Sequence, residues 1–390
     1  MGDFFVQPVS RKLTALKWLS AEAGQAYTDT NAYFITGSSE DKQELTLWKA
    51  EGQDIVEDLK IGGFQAESTY TTSHNGDVNC IDTAGPDKIV TASGFGSVSV
   101  YHVERQDISY DDDMDGTKQS KNLELVKSWK AHKYVDGSSA VCTAAKVRPT
   151  YGTDYEVVSC GEDGSIVFAS LERAEAISSL QEIDSMTITD IAWVSPNQCI
   201  TSMASGQVKL VDRRDPQLAK AVFIDDSNKD VSINCVAAHP SQSFRFATGN
   251  ELGSALVWDI RNTKEPTTTS LKVHDQDIWQ IMFHPGDTSK LITCSEDASI
   301  VVVDWDTSEA KKAQSNTSGG LYAKPFAISN QSQDKQDRVS TLRRMKNIFN
   351  TLSVNCFDYY KHGQAGILAA GTDSENILFE PLESATFSLF

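Results

Sequence analysis

The stretch LITCSEDASIVVVD, residues 291–304, is an apolar strand, a short turn around Ser295-Glu296-Asp297, and a second apolar strand. VVSCGEDGSIVF (157–168) is a close copy of it. Looser copies are IVTASGFGSVSVYH (89–102), CITSMASGQVKLVD (199–212), FATGNELGSALVWD (246–259) and ILAAGTDSENILFE (367–380). YFITGSSEDKQELTLWK (33–49) is a seventh, with a longer turn. Self-similarity of this kind marks a repeat architecture, in which one supersecondary unit buries its faces only against its neighbours. Seven copies mean a ring.

A short alternating segment precedes each copy: LTALKW (13–18), DVNCID (77–82), AVCTAAKV (140–147), ITDIAWVSP (188–196), INCVAAHP (233–240), IWQIMFHP (278–285) and VNCFDYY (354–360). Alternation of apolar and polar positions predicts half-buried strands rather than helices. His239-Pro240 and His284-Pro285 end two of them, because proline cannot donate to a sheet ladder. Three strands per copy are legible, and the variable stretch after each has room for a fourth. The spacing is close to the ~40–45 residues of a WD-repeat blade. The expected fold is all-β: one seven-bladed WD40-type β-propeller over residues 1–390, closed so that no long sheet edge is left free. Either FFVQPV (4–9) or TFSLF (386–390) supplies the outer strand of the last blade, and the sequence leaves both open.

The decay of the repeat is informative. Aligning the turn Asp positions puts the expected Trp six residues further on, and Trp258-Asp259 is the one WD pair in that register. Tyr101 and Phe379 occupy the same place elsewhere, Trp48 does so only with the longer turn of the first blade, and with Trp258 these are the expected blade-core aromatics. Asp163, Asp297 and Asp373 keep the turn carboxylate, whereas Phe95, Ser205 and Leu252 have replaced it. His132 and His274 precede the third and sixth blades, at a spacing that lets them reach Asp163 and Asp297 as buried, structural polar pairs. Buried polar groups must be paired, so these residues are read as structural. The full His–Asp–Ser/Thr–Trp network is complete in no copy.

Composition narrows the function classes. No apolar run is long enough to span a bilayer and no secretory leader is evident, so a soluble, non-secreted protein is expected. Seven cysteines, an odd number with no CxxC pair, read as small apolar core residues in a reducing compartment. Asn316-Thr317-Ser318 is a glycosylation acceptor that such a compartment leaves idle. The formal net charge of −19 repels phosphate backbones, which argues against general nucleic-acid or anionic-membrane binding. The same charge is either a solvating surface or an acidic face for basic partners such as histone tails.

Two insertions interrupt the ring. The first, about 104–128, contains YDDDMDG (110–116), which lacks the spacing and downstream Glu of an EF-hand and reads as an acidic loop. The second, about 307–350, begins as a linker rich in Ser, Asn, Gln and Lys. Its second half, DKQDRVSTLRRMKNIFNTL (334–352), places Val339, Leu342, Met345, Ile348, Phe349 and Leu352 at helical spacing. A short helix is expected there, with Leu342, Met345, Ile348 and Phe349 as candidate partner-docking residues. RRMK is too short a basic cluster to carry a nuclear-import reading.

Catalysis finds no support in the sequence: no GxSxG elbow, P-loop, HExxH or paired-carboxylate constellation is present. Gly94-Phe95-Gly96 joins two strands and lacks the helix of a dinucleotide site. His102, His239, His284 and His362 have no metal-ligand spacing. No enzyme activity, cofactor or metal is therefore expected.

Several phrases carry a more specific resemblance. FVQPVSRKLTALKW (5–18), GQVKLVDRRD (206–215), HPSQSFRFATG (239–249), LKVHDQDIWQIMFHP (271–285) running into LITCSEDAS (291–299), and LSVNCFD (352–358) with GTDSENI (371–377) are of this kind. In their order, spanning nearly the whole chain, they resemble the WD-repeat nucleoporins of the Y-shaped outer-ring scaffold of the nuclear pore, and in particular a small member of that family. The resemblance implies a non-catalytic scaffold subunit at the nuclear envelope that supports transport of protein and mRNA. It also implies other nucleoporins of that complex as partners, notably an α-helical solenoid of its short arm, with kinetochore association in mitosis and neither direct nucleic-acid contact nor membrane insertion. The acidic loop and the 307–338 linker depart from the family pattern. The competing reading from the residues is a WD adaptor presenting substrates or histone tails to a modifying enzyme or ubiquitin ligase, with an undetected enzyme as a third.

Overall fold

The computed structural model describes residues 5–20, 31–51, 55–105, 122–149, 155–173, 175–181, 183–215, 221–268, 270–305, 342–346, 352–362 and 365–383. Seven four-stranded antiparallel sheets make up the fold. Blades one to six run over 13–73, 78–130, 142–180, 188–224, 233–272 and 278–346, each with its strands in chain order. Blade seven joins the three strands of 354–383 to Phe5–Pro8. The innermost strand of each blade contacts the innermost strands on both sides, and the seventh contacts the first, so the ring is closed.

Sheet position explains the sequence pattern of each strand. Second strands are sandwiched between neighbouring blades, so Lys88–Ser93, Glu156–Gly161, Gln198–Met203, Arg245–Asn250 and Lys290–Ser295 all bury every residue but the first. Burial on both faces demands an apolar run, and each fully buried Val, Ile or Leu contributes about 1.5–3 kcal/mol. Outer strands such as Leu123–Lys130 face solvent, and half of the residues of this one are polar.

All seven innermost strands share one irregularity. Their pairing register slips at the second residue, between Leu13 and Ala15 in blade one and at the matching place in each other blade. A bulge re-aims the extra side chain, and here it points that side chain at the next blade. Thr14 Oγ1 donates to Val78 O (2.7 Å), Asn79 Nδ2 to Cys142 O (2.9 Å), Thr143 Oγ1 to Ile188 O (2.6 Å) and Thr189 Oγ1 to Ile233 O (2.5 Å). Asn234 Nδ2 donates to Asp277 Oδ1 (3.0 Å), Trp279 Nε1 to Ser353 Oγ (3.0 Å) and Asn355 Nδ2 to Leu13 O (2.9 Å). The seven bonds run once around the ring and end where they began. Each is worth about 1 kcal/mol net, and together they fix the blade-to-blade spacing.

The N-terminal segment closes the ring. Phe5–Pro8 pairs antiparallel with Asn376–Phe379, and Val9 N–H donates to Glu375 O at 2.9 Å. Residues 386–390, the rival segment, lie outside the described residues. An aromatic cluster fills the seam between blades seven and one. Phe5 lies 5.1 Å from Phe64 and 6.0 Å from Phe379, and Phe379 lies 5.7 Å from Phe34. Beneath it packs a short helix, Ile55–Ile61, that the sequence reading did not anticipate.

The insertions differ from expectation. The helix expected over 334–352 is not what the described part forms: Leu342–Lys346 is the outer strand of blade six, pairing with Ser299–Val303. Ile348 and Phe349 lie outside the described residues. The physical reason is edge pairing: without this strand, the buried third strand Ser299–Asp304 would leave the backbone donors and acceptors of its outer edge unmatched. A spacing of three between Leu342 and Met345 fits one helical turn, but five residues are too few to separate helix from strand. Likewise the first insertion is shorter than 104–128, because Leu123–Lys130 is the outer strand of blade two. YDDDMDG lies outside the described residues.

Candidate docking face

In a four-stranded antiparallel blade, second-to-third turns and blade-to-blade loops share one face of the disc, called here the turn face. First-to-second and third-to-fourth connections share the other. The second-to-third turns need one residue with positive φ, and glycine supplies it without strain in four blades: Gly96 (79°), Gly164 (66°), Gly206 (78°) and Gly253 (75°). A Cβ at Gly96 would also run into the carbonyl oxygens of Ala140 and His132, because the next loop lies directly across the turn.

Buried histidines sew those loops to the turns. His132 Nδ1 lies 3.0 Å from Asp163 and its Nε2 lies 2.9 Å from Ser159 Oγ. His274 Nδ1 lies 3.2 Å from Asp297 and 3.1 Å from Ser299 Oγ, with Nε2 2.8 Å from Thr293 Oγ1. A carboxylate opposite Nδ1 assigns the proton to that nitrogen and leaves Nε2 to accept the hydroxyl proton. Burial opposes the charge on Asp297, yet bonds from His274, Ser299 and the Asp275 N–H hold its carboxyl below the usual range. A third histidine, His74, was missed in the sequence because the turn it faces carries Phe95 instead of Asp. Its Nδ1 donates to Gly76 O (2.6 Å), its Nε2 accepts from Thr91 Oγ1 (2.9 Å), and burial pushes its pKa down.

The blade-core aromatics sit one layer deeper. Trp48 Nε1 donates to Thr36 Oγ1 (2.9 Å) and Trp258 Nε1 to Thr248 Oγ1 (3.0 Å). Their rings stack on Phe34 and Phe246, with interplanar angles of 4° and 7°. Tyr101 is buried near His74 and its hydroxyl is pushed up to about 12 by that burial. Phe379 belongs to the closing seam. In no described blade do His, Asp, Ser/Thr and Trp meet: blade six has the first three with Val303 at the Trp position, and blade five has only Thr248 with Trp258.

The central channel holds charged groups of both signs, Lys17, Asp82, Lys146 and Asp190, around a cavity of about 220 Å³, with Asp358 beside Lys17. These groups are occupied in holding blades together. Asp358 accepts Trp18 N–H (2.9 Å) and pairs with Lys17 (3.5 Å), Asp82 accepts Val147 N–H (2.8 Å), and Asp190 accepts Val236 N–H (3.1 Å). The Asp358 carboxylate, seconded by Asp82, holds Lys17 above its ordinary value. Among the described residues no group of three His, Cys, Asp or Glu could hold a metal. All seven cysteines are buried and unbridged.

Outward-facing chemistry is unevenly distributed. Phe95, Tyr134, Val135, Met186, Leu252, Trp279 and Leu352 are exposed, and all lie on the turn face. Exposed Leu125, Val126, Ile177 and Val222 lie on outer strands, at the rim. Among the described residues, the connections of the opposite face expose no large apolar side chain. Charge is segregated too. Described connections of the turn face carry 17 carboxylates against 5 lysines and arginines, whereas those of the opposite face carry 8 of each. No helix of the described residues is long and apolar enough to cross a membrane.

A model of the WD domain, G-beta repeat, matches residues 265–304, the stretch from blade five into blade six. Nucleoporin Nup43 of Mus musculus is 27% identical, over 97% of this chain and 98% of its own length, and Nup43 of Homo sapiens gives the same figures. The chain is a Nup43-like WD-repeat β-propeller. The nuclear pore complex protein nup43 of Dictyostelium discoideum is 25% identical over 52% of this chain and 46% of its own. The matched repeat holds the His274–Asp297 pair, blade three holds the like pair His132–Asp163, and every described blade keeps the hairpin while lacking at least one part of the polar network.

Proposed function

We propose that this protein is a non-catalytic docking subunit of the nuclear pore complex at the nuclear envelope. Within it, the chain belongs to the Y-shaped outer-ring scaffold, seated against an α-helical solenoid subunit, and supports nucleocytoplasmic transport by building that scaffold. The observation that carries this reading is the end-to-end likeness to Nup43, which covers 97% of the chain and so includes every blade. The structure supports it in kind. Titratable groups in the channel are spent on blade-to-blade bonds, while the apolar and acidic groups that remain face outward, as a docking module requires. On this reading the outer edge of blade six, with Leu342 and Met345, is one place of contact, and Ile348 and Phe349 follow it in the chain.

Mild affinity purification of the tagged full chain from its own cells, with mass spectrometry of the eluate, tests the proposal. Near-stoichiometric helical-solenoid and propeller nucleoporins are the expected result. Recovery of a methyltransferase, a ubiquitin ligase or histones without pore proteins would overturn it in favour of the adaptor reading.

A further inference from the structure

The loop between blades two and three is built in a way the ring does not require. Lys133 bridges Ser139, Tyr134 N–H donates to Ser138 O (3.0 Å), and Gly137 N–H donates to Tyr134 O (2.9 Å). Asp136 accepts from both the N–H (2.9 Å) and the hydroxyl (2.6 Å) of Ser138. The result is a small ordered hairpin whose tip is Val135, at 108% relative exposure. Tyr134 beside it is tied by its hydroxyl to Glu162 Oε2 (2.9 Å) on the turn of blade three, which aims the ring instead of leaving it free. An apolar residue held out on a rigid tip buries nothing within its own chain, so the ordering of this loop is not explained by the stability of the ring.

The hairpin has neighbours of the same kind. Ala131 and His132 N–H both donate to Gly96 O (2.9 Å), which sets the hairpin beside exposed Phe95. On the other side, the loop that carries exposed Met186 closes over the blade-three turn, where Ile183 N–H donates to Gly164 O (3.0 Å). On these adjoining loops Phe95, Tyr134, Val135 and Met186 make up an apolar patch of the turn face across blades two to four. Around it stand Asp77, Asp136 and Glu162, while Asp184 is already paired with Lys209 at 2.8 Å. Lys133 is the described cation within the loops that carry the patch, with Lys130 reaching Ser139 and Lys209 reaching Asp184 from neighbouring strands, and 17 carboxylates face 5 cations over the connections of the turn face as a whole. An apolar centre with a charged rim is the anatomy of a protein interface.

We propose that this patch is the seat of a basic segment of a partner protein, one that interleaves large apolar side chains with Lys or Arg. The apolar residues cover Val135, Tyr134, Phe95 and Met186, and the cations meet the acidic rim. An acidic or neutral segment would meet repulsion or unbalanced desolvation here, and like charges brought together across an interface cost several kcal/mol. The inference rests on the docking reading above but not on which partner is involved.

The test is site-specific photo-crosslinking in the full chain, expressed in its own cells. A benzophenone amino acid is placed at Val135 in one version and at Val126, on the rim strand of blade two, in another. The expected result is a crosslink from position 135 to a peptide in which Lys and Arg outnumber Asp and Glu, with large apolar residues between them. That crosslink should weaken at least about tenfold in the variant Glu162→Lys/Asp136→Lys, and as salt is raised from 0.1 to 0.5 M, where the screening length falls well below the ~10 Å of the lower salt. Crosslinks from 126 alone, an acidic or neutral captured peptide, or no crosslink from 135 would each overturn the inference. The identity of the captured protein tests the nuclear pore reading, and the chemistry of its segment tests this one, so either can fail alone.

Discussion

Removing residues 1–9 takes away the outer strand of blade seven and should weaken the whole ring, because no other described segment pairs with the outer edge of Asn376–Phe379. The magnitude follows from what is lost. A fully buried Phe truncated to Ala costs about 3–5 kcal/mol, and half-buried Phe5, packed on Phe64 and Phe379, should contribute roughly 2 kcal/mol on that scale. Half-buried Val6 adds about 1 kcal/mol. The backbone bonds of the strand contribute about 1 kcal/mol each and are nearly offset by the ~1–2 kcal/mol per residue of backbone entropy that ordering costs. The net is the side-chain part, about 3 kcal/mol, a substantial share of the 5–15 kcal/mol typical of a domain. In urea, with a slope of about 3 kcal/mol/M, the midpoint should fall by about 1 M, and Phe5→Ala alone should give roughly two thirds of that. A truncated chain that unfolds at the midpoint of the full one, with the drop appearing instead on removal of residues 386–390, would refute the assignment of the closing strand.

Three further outcomes are expected. Thr248→Val should deprive buried Trp258 Nε1 of its acceptor and cost about 1–3 kcal/mol, read as a lower thermal midpoint, since an unmatched buried donor carries its full desolvation cost. Gly96→Ala should destabilise by about 2 kcal/mol or more, because its φ of 79° and the Ala140 carbonyl both exclude a Cβ; a neutral result would mean that the loop across the turn can yield. Stability should also fall as the pH drops below about 6.5, the ordinary histidine value. Burial holds His74, His239 and His284 below that value, and Nδ1 of His239 and His284 accepts backbone N–H bonds, so the folded chain refuses a proton that the unfolded chain takes. Asp163 and Asp297, held low by their histidine partners against the cost of burial, add stability above about pH 4 that is lost below it. A urea midpoint flat from pH 7.5 to 5 would show that the imidazoles are not buried neutral.

The turn residues made the blades legible. Asp163 and Asp297 mark turns in which a carboxylate accepts several nearby N–H and O–H groups, and the histidines that reach them stand at a fixed spacing upstream. His74 escaped notice because Phe95 replaces the carboxylate, so the pattern that would have pointed to it is gone. The bulge residues were in plain view as Thr14, Asn79, Thr143, Thr189, Asn234, Trp279 and Asn355, yet nothing in an alternating strand says that its second residue bonds to the next blade. The docking patch was hidden for a similar reason: Phe95, Tyr134 and Met186 lie far apart in the chain, and only stacking of the blades makes them neighbours.

The sequence by itself determined the hairpin unit, its number of copies and hence the class of fold, because alternation and turn chemistry act over a few residues and repeat with the blade. It also determined the strongly acidic balance. Only the tertiary structure decided that Phe5–Pro8 closes the ring and that LRRMK at 342–346 is a strand. Tertiary structure also gathered the acidic and apolar loops onto one face. For the two strands the reason is the same: a free strand edge is paired by whichever segment the closed ring brings alongside, and that choice depends on residues tens to hundreds of positions away, with no local signature in the chain; the loops share a face because the blades stack in one direction.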